Sequence, residues 1–478
     1  MATISPKVNN HAICNMPSDA EGAKSSSSEL GAKGETQRSE STEYNGLEMG
    51  NGDHDDTSSE TSTIRHRHEP FETFQHKASK IISQHFKLEL SDIKIEQMKG
   101  GSYNRVVAVT VCAKPKKYRV QWFKSLCLGT WRKSKSQEPE SYIVRIPRQD
   151  GSEMDHDVSI LKTIGSQLAL PVPKVVAYDL SGNNVFEKPY MIQTRLPGQN
   201  LAQLWKTLNM QQKECVAKRL TDLVYRIASV EGPAGDISLG NLSQGINERV
   251  QIDKFCVPAR GLEDDSFDKS NTWPASPQTP LEHLLEQCER WREYQTSQDS
   301  CFEEIWDSFV AISKALERRG FLDGPNVLLH GDLKAYNLLA EVRSPTEVEI
   351  TGILDWDYAV VAPEFMAYRA PFWLWIPEDM GSADEDDESN AILEPRTDED
   401  QMLKSVFLNH ASDKYKRFAF APEALLARRM FPILQKGIFG PWNMMEAENV
   451  IREWDRLHTE DGVAMIDTDS DTGSDMSK

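Results

Sequence analysis

The chain has 478 residues, a formal net charge of −20 and only 39% hydrophobic residues. That length predicts one large or two medium domains with a proper core, and the acidic balance excludes nucleic acid as the main partner. No stretch is apolar enough to span a bilayer, no charged-then-apolar signal opens the chain, and the seven scattered cysteines lack a C-x-x-C pair, so they read as free thiols in a reducing, cytoplasmic setting.

Residues 1–69 are rich in Ser, Glu, Asp, Gly and Asn with almost no aromatics, a composition that predicts disorder. The Arg65-His66-Arg67-His68 cluster reads as a solvated basic patch. Folding is expected from Phe71, where Phe71, Phe74, Ala78, Ile81, Ile82 and Phe86 recur at helical spacing. Ile93 and Ile95 then alternate as a strand, followed by Lys99-Gly100-Gly101-Ser102-Tyr103-Asn104-Arg105 and a second strand through Val107, Val109 and Val111. Strand, glycine turn, strand is the layout of a loop whose backbone N–H groups approach phosphates closely. Residues 113–140 form a basic, aromatic-bearing insert, read as a solvated loop or as a surface for a partner or membrane.

Ser141 to Ile146 predicts a strand, and Val158, Ile160, Leu161 and Ile164 predict the helix after it. Pro171-Val172-Pro173 is a stiff link before a strand–turn–strand unit through Val175 and Gln193. From Leu201 the pattern turns helical, with two helices through Ile227 and two more over Leu281–Tyr294 and Cys301–Leu316. Residues 247–280 between them read as a long surface loop. The aromatics of Tyr368 to Trp375 are expected either to line an acceptor pocket or to pack in the core. Residues 378–400 form an acidic, irregular loop that could attract a cationic acceptor, and the segments Ala424–Ile438 and Met444–Leu457 form closing helices. An acidic Ser/Asp tail occupies 458–478 and is expected to be disordered.

The densest chemistry lies between Asn326 and Tyr358. Val327, Leu328 and Leu329 run into His330-Gly331-Asp332, Asn337 follows five residues after Asp332, and a hairpin over Leu338–Val342 and Glu347–Leu354 returns the chain. In the second strand Val348, Ile350, Gly352 and Leu354 fall on one side by period-two alternation. The return brings Asp355 and Asp357 near Asn337 and Asp332. Carboxylates gathered this way repel without a cation, and an all-oxygen set beside substrate phosphates suits Mg2+. Asn337 and Asp355, with Asp357, then serve as metal ligands, leaving Asp332 to accept a proton from an attacking hydroxyl.

His330-Gly331-Asp332-Leu333 with Asn337, followed by Ile353-Leu354-Asp355-Trp356-Asp357, resembles the catalytic-loop and metal-ligand motifs of aminoglycoside phosphotransferases and choline kinases. The closer resemblance is to fungal proteins with an aminoglycoside phosphotransferase-like domain, whose G-G-S-x-N-R turn Gly100 to Arg105 matches. This likeness covers roughly Phe71 to Leu457. It implies an α+β, two-lobed protein-kinase-like fold: a small β-rich N-terminal lobe over 70–196 and a larger helical C-terminal lobe over 197–457. It also implies Asp332 as catalytic base, His330 as the brace of its loop, and Lys334 where protein kinases carry the catalytic-loop lysine. Arg145 stands where such folds carry the nucleotide-holding lysine, with Asp157 as its acidic partner. Gln193 to Leu196, including Arg195, matches the hinge beside an adenine ring. The implied activity is ATP- and Mg2+-dependent phosphoryl transfer to a hydroxyl of a small, cation-compatible acceptor. Arg145 and Asp157 depart from the usual lysine and glutamate, leaving open a pseudokinase or nucleotide-sensing scaffold; a protein kinase is the remaining alternative.

Overall fold

The computed structural model describes residues 69–98, 104–112, 140–148, 154–239, 250–258, 274–297, 302–377 and 387–463. All of them belong to one compact unit, Asp55–Lys478. The segment 1–68, Gly100, Gly101 and Ser102, the insert over 113–139, the first part of the acidic loop and the tail beyond 463 lie outside the described residues.

Helix α1 (Phe71–Phe86) buries Phe74, Ala78, Ile81 and Ile82, the one-sided stripe its three- and four-residue spacing prescribes. It packs on an antiparallel sheet of β1 (Ile93–Gln97), β2 (Asn104–Val111), β3 (Glu140–Pro147), β4 (Val175–Asp179) and β5 (Tyr190–Thr194) in the order β1-β2-β3-β5-β4. Val107, Val109, Val111, Tyr142, Val144, Ile146 and Ile192 supply the sheet side of this core. Helix α2 (Met154–Gln167) behaves differently. Its buried Met154, Val158, Leu161 and Ile164 join the larger core of the rest of the chain.

Beyond the sheet, β6 (Gln199–Asn200) leads into α3 (Leu201–Trp205) and α4 (Met210–Ala228). A reciprocal Asn209–Gln212 capping box starts α4, satisfying two backbone donors at once. Strands β7 (Gly235–Leu239) and β8 (Val250–Asp253), helices α5 (Pro280–Ser297) and α6 (Glu303–Arg318), and β9 (Asn326–Leu329) follow. Next come β10 (Leu338–Ser344), β11 (Glu347–Ile353), β12 (Val360–Pro363) and the short α7 (Glu364–Ala367). Helices α8 (Asp398–His410), α9 (Asp413–Phe420), α10 (Pro422–Lys436) and α11 (Pro441–Leu457) close the chain. Two small sheets carry the loops of interest, β11-β10-β6 and β8-β7-β12-β9.

Several expectations need correction. The loop expected over 247–280 contains β8, which pairs antiparallel with β7 and aligns Asp253 with Asp236. Val250 and Ile252 do alternate with Gln251 and Asp253, but four residues are too few to set a strand apart from a loop, so pairing with β7 decides the conformation. In β11 the two-residue period breaks, because Leu339 faces Gly352 while Ala340 faces Ile350, leaving Thr351 as a bulge. Ile353 rather than Leu354 is consequently the fully buried residue. The acidic loop over 378–400 is not irregular throughout: Glu388–Ile392 is a 3-10 turn and α8 begins at Asp398. Glu388 is buried between Arg428 (2.7 Å) and Arg369 (2.9 Å), since a buried carboxylate needs paired donors. The tail starts ordered as well, with Asp461 accepting from Arg318 (2.7 Å) and Trp454 (3.1 Å). Of the two expectations for Tyr368 to Trp375, core packing is the outcome. Tyr368, Phe372, Leu374 and Trp375 are all buried.

Candidate functional site

Strand β9 is buried at all four positions, and it pairs with β12 from Asn326↔Pro363 to Leu329↔Val360. That pairing fixes where the chain leaves the sheet, so His330, Gly331 and Asp332 emerge beside the end of the β10–β11 hairpin. Gly331 has φ +82°, and a Cβ there would lie 2.3 Å from Tyr358 O. Only glycine fits this close pass between two loops.

His330 is the brace between them. Its Nδ1 accepts from the Asp332 backbone N–H (3.3 Å), so Nε2 carries the proton and donates to Leu354 O (2.9 Å). Burial pushes its pKa down to about 4, which keeps the ring neutral and this tautomer fixed. The imidazole also packs against Trp356, with ring centroids 4.4 Å apart.

Asp332 receives three donors. Asn337 Nδ2 reaches its Oδ2 at 2.8 Å and its backbone oxygen at 2.9 Å. The Tyr336 hydroxyl stands 3.3 Å from Oδ1 and 3.4 Å from Oδ2. Lys334 Nζ lies 3.6 Å from Oδ1. Residues 335–337 form a single 3-10 turn, which is why positions four and five beyond Asp332 fold back onto it. Asn200 holds that turn from the β6 side by donating to Tyr336 O at 2.7 Å, while its own side-chain oxygen caps α3.

Facing this loop, Arg145 projects from β3 and is buried among carboxylates. It makes a close ion pair with Asp357, reaches Asp157 at 3.3 Å and Asp355 at 3.7 Å. The Asn104 side-chain oxygen, turned as its neighbours require, accepts from Arg145 Nε at 3.0 Å and Nη2 at 2.6 Å. The predicted Arg145–Asp157 couple thus exists, but Asp357 is the nearer partner. No residue pattern signals that pairing, because it depends on where the hairpin return lies against β3. Burial opposes the charge on Arg145, but Asp157, Asp357 and Asp355 outweigh it and keep the guanidinium protonated. The carboxylates outnumber the cations here. Burial, opposed by Arg145 and reinforced by Asp357, raises Asp157 to about 8, and partial desolvation with the Asp357 charge raises Asp355 to about 6. Asp355 itself adopts the left-handed conformation, φ 59°, which turns its carboxylate out of the line of β11.

The remaining predicted residues divide. Gln193 lies in β5, opposite Ile143 of β3, with its side-chain oxygen buried and without a hydrogen-bond partner among the described residues. Arg195 is not gathered with the others. Its backbone N–H donates to Ser141 O (3.0 Å), while its guanidinium pairs with Glu96 on β1 at 3.7 Å, a half-exposed contact. Sequence reasoning missed Tyr336, Asn200 and His156. The last donates from Nδ1–H to Ile237 O (2.8 Å), tying α2 to β7. Tyr336 was in principle findable, since four residues beyond Asp332 is one 3-10 turn away. His156 was not, because β7 itself was unexpected.

An oxygen-rich set beside one arginine can hold a hard cation and an anionic ligand together. The test is whether donors remain. Asp357 Oδ1 is buried without a hydrogen-bond partner among the described residues, and Asn337 spends its nitrogen on Asp332, so oxygen donors are available for Mg2+.

A sequence profile described as the phosphotransferase enzyme family matches residues 128–366, half of the chain. A curated relative, "Altered inheritance of mitochondria protein 9, mitochondrial" of Candida albicans, is 26% identical over 150 residues, and the match spans about a fifth of that protein's length (22%, against 28% of this chain). Among solved structures, the ADP-bound aminoglycoside phosphotransferase APH(2'')-Ib is similar at 10% identity, with 78% of this chain and 96% of that one covered and a TM-score of 0.42. A putative aminoglycoside phosphotransferase of Ralstonia eutropha is similar at 12% identity, with 79% and 95% covered and a TM-score of 0.37.

Proposed function

The chain belongs to the phosphotransferase enzyme family, and from that premise we propose that it moves the γ-phosphoryl group of ATP, with Mg2+, to a hydroxyl of a small molecule. One observation carries this reading. Asp332 is held by Asn337 across 2.8 Å while Asp355 and Asp357 face it from the hairpin return, with Arg145 among them. Such a layout separates a proton acceptor from a metal-and-phosphate subsite, which is what transfer to an alcohol requires.

In this reading Asp332 takes the proton of the attacking hydroxyl, and His330 keeps the loop in place by bridging to Leu354 O. Asn337 Oδ1 and the carboxylates of Asp355 and Asp357 would hold Mg2+, which supplies charge neutralisation for the transferring phosphoryl group. Arg145 offers N–H groups to the phosphates, and Gln193 brings an unpartnered oxygen from β5 towards a base edge. Gly100, Gly101, Ser102 and Asn104 are assigned to the phosphate-facing turn on their sequence pattern, with Asn104 orienting Arg145. Lys334 stabilises charge beside Asp332. Arg195, turned to Glu96, is assigned to the hinge backbone rather than to ligand contact. A cytoplasmic setting is in keeping with Cys112, Cys215, Cys256 and Cys288 all standing outside any disulfide. No helix among those residues is long and apolar enough to cross a membrane.

A second reading rests on the close Arg145–Asp357 pair. An arginine already engaged by two candidate metal ligands describes a site that binds nucleotide without turning it over. Both readings require binding, so thermal unfolding with and without Mg-ATP is the first test. A ligand at about 100 times its Kd stabilises the native state by about 2.7 kcal/mol, and the melting temperature is expected to rise with Mg-ATP but little with ATP in EDTA. An unchanged melting temperature at millimolar Mg-ATP would defeat both.

A further inference from the structure

We propose that Arg105 is a positioning residue for nucleotide binding: it clamps the start of helix α1 to the start of β2 and so holds Asn104 where Asn104 orients Arg145. The inference rests on the phosphotransferase reading above and deepens it, by tying helix α1 to the arginine assigned to the phosphates. Three observations carry it. The guanidinium carbon of Arg105 lies 3.7 Å from the centroid of the Phe74 ring, and Phe74 is itself buried on α1. Nη2 of the same guanidinium donates at 3.0 Å to Glu69 O, the carbonyl next to the Pro70 cap of that helix. The neighbouring Asn104 offers its side-chain oxygen to Arg145 Nε at 3.0 Å and Nη2 at 2.6 Å.

The register of the sheet joins these contacts. Strand β2 pairs with β3 so that Arg105 stands opposite Ile146 and Val106 opposite Arg145. Side chains alternate between the two faces of a strand, and directly opposed residues share a face. Arg105 therefore lies with Ile146, Val107 and Val109 on the α1 side, whereas Asn104 lies with Val106 and Arg145 on the other. Two adjacent residues grip in opposite directions, one the helix and the other the arginine. Asn104 is the first residue of β2, and its partner Pro147 brings no N–H to that end of the ladder. The clamp one peptide bond away is what keeps Asn104 in register. The place calls for arginine, because a planar fork stacks on a ring while it donates from its edge, and an ammonium does one or the other.

The test is Arg105→Lys, which keeps the charge and removes the fork. By titration calorimetry Mg-ATP should bind roughly three- to tenfold more weakly, the scale of one hydrogen bond. Phe74→Leu keeps α1 apolar, removes only the ring, and should weaken binding in the same direction. Since Arg105 acts through Asn104, the Asn104→Ala/Arg105→Lys double variant should bind no more weakly than Asn104→Ala alone, a coupling that a merely structural arginine would not show. A readout free of nucleotide accompanies these: in protein labelled with 15N-arginine, the Arg145 Nε–H resonance, identified by its loss in Arg145→Lys, should move in Arg105→Lys. A lower melting temperature in Arg105→Lys with affinity and resonance unchanged overturns the proposal. So do losses of affinity that add in full in the double variant. An Arg145 resonance that moves as expected in a protein to which Mg-ATP does not bind would instead remove the phosphotransferase reading, and with it the nucleotide role assigned to Arg105.

Discussion

Asp332→Asn lowers phosphoryl transfer by roughly 10²- to 10⁴-fold, the range of a lost general base, while Mg-ATP still binds. The amide keeps the shape of the carboxylate and one acceptor oxygen. The bond from Asn337 Nδ2 to Asp332 O, 2.9 Å, is to the backbone and survives the change. The loop is also held from outside the side chain, by His330 to Leu354 O and by Asn200 to Tyr336 O. Loss of rate without loss of binding is therefore the expected signature. Asp355→Asn provides the contrast. It removes a charge from the candidate metal subsite, so nucleotide affinity and rate fall together. Isothermal titration with Mg-ATP beside steady-state rates separates the two, and equal loss of binding in both variants would contradict the division between base and ligand.

Arg145→Ala has the largest expected effect on the protein as a whole. The guanidinium is the cation shared by Asp157, Asp355 and Asp357, and Asp157 is itself buried. Removing one partner of a buried ion pair leaves the other charges uncompensated, at a cost of about 3–5 kcal/mol. Part of that is relieved by protonation, because Asp157 and Asp355 are already raised, to about 8 and about 6. Calorimetry should show a lower melting temperature, partly restored by millimolar Mg2+ alone, since a divalent cation answers the same excess of carboxylates. Mg-ATP affinity should fall by about 1.5–3 kcal/mol for the lost charge-assisted contact. Arg145→Lys should recover only part of either loss. One ammonium cannot reach Asp157, Asp357 and the Asn104 oxygen together as the planar fork does. If Arg145→Ala leaves both stability and nucleotide affinity unchanged, the cluster has no part in the site.

What was legible in the sequence follows a physical divide. Helix α1 and the β10–β11 hairpin were readable because each buries one face, and a one-sided stripe leaves a period in the residues. The gathering of Asp332, Asn337, Asp355 and Asp357 was readable because a hairpin is a local structure whose ends must meet. Contacts made by remote segments left no such trace. Arg145 meets Asp357 across 212 positions, and His156 meets Ile237 O only because β7 forms, a strand whose alternation over Asp236 to Leu239 is too short to stand out from a loop. The bulge at Thr351 is a third case. Its hydroxyl donates to Pro197 O at 2.7 Å, so a contact with the linker between the two parts of the chain sets the register of β11. The buried Glu388 shows the same limit from the side of charge, since an acidic run reads as solvated until two arginines from elsewhere enclose one of its members.

Transfer of phosphate to an alcohol at this site is tested most directly by one measurement. Wild-type protein and Asp332→Asn are incubated with ATP, Mg2+ and a panel of small hydroxyl compounds, neutral and cationic, and ADP and phosphorylated products are followed by mass spectrometry. At least one compound is expected to be phosphorylated by the wild type, with product and ADP formed in equal amounts, and Asp332→Asn is expected to form neither at a comparable rate. Binding of Mg-ATP with no phosphorylated product from any compound, and with wild type and Asp332→Asn alike in ADP release, would contradict it and leave a nucleotide-binding scaffold.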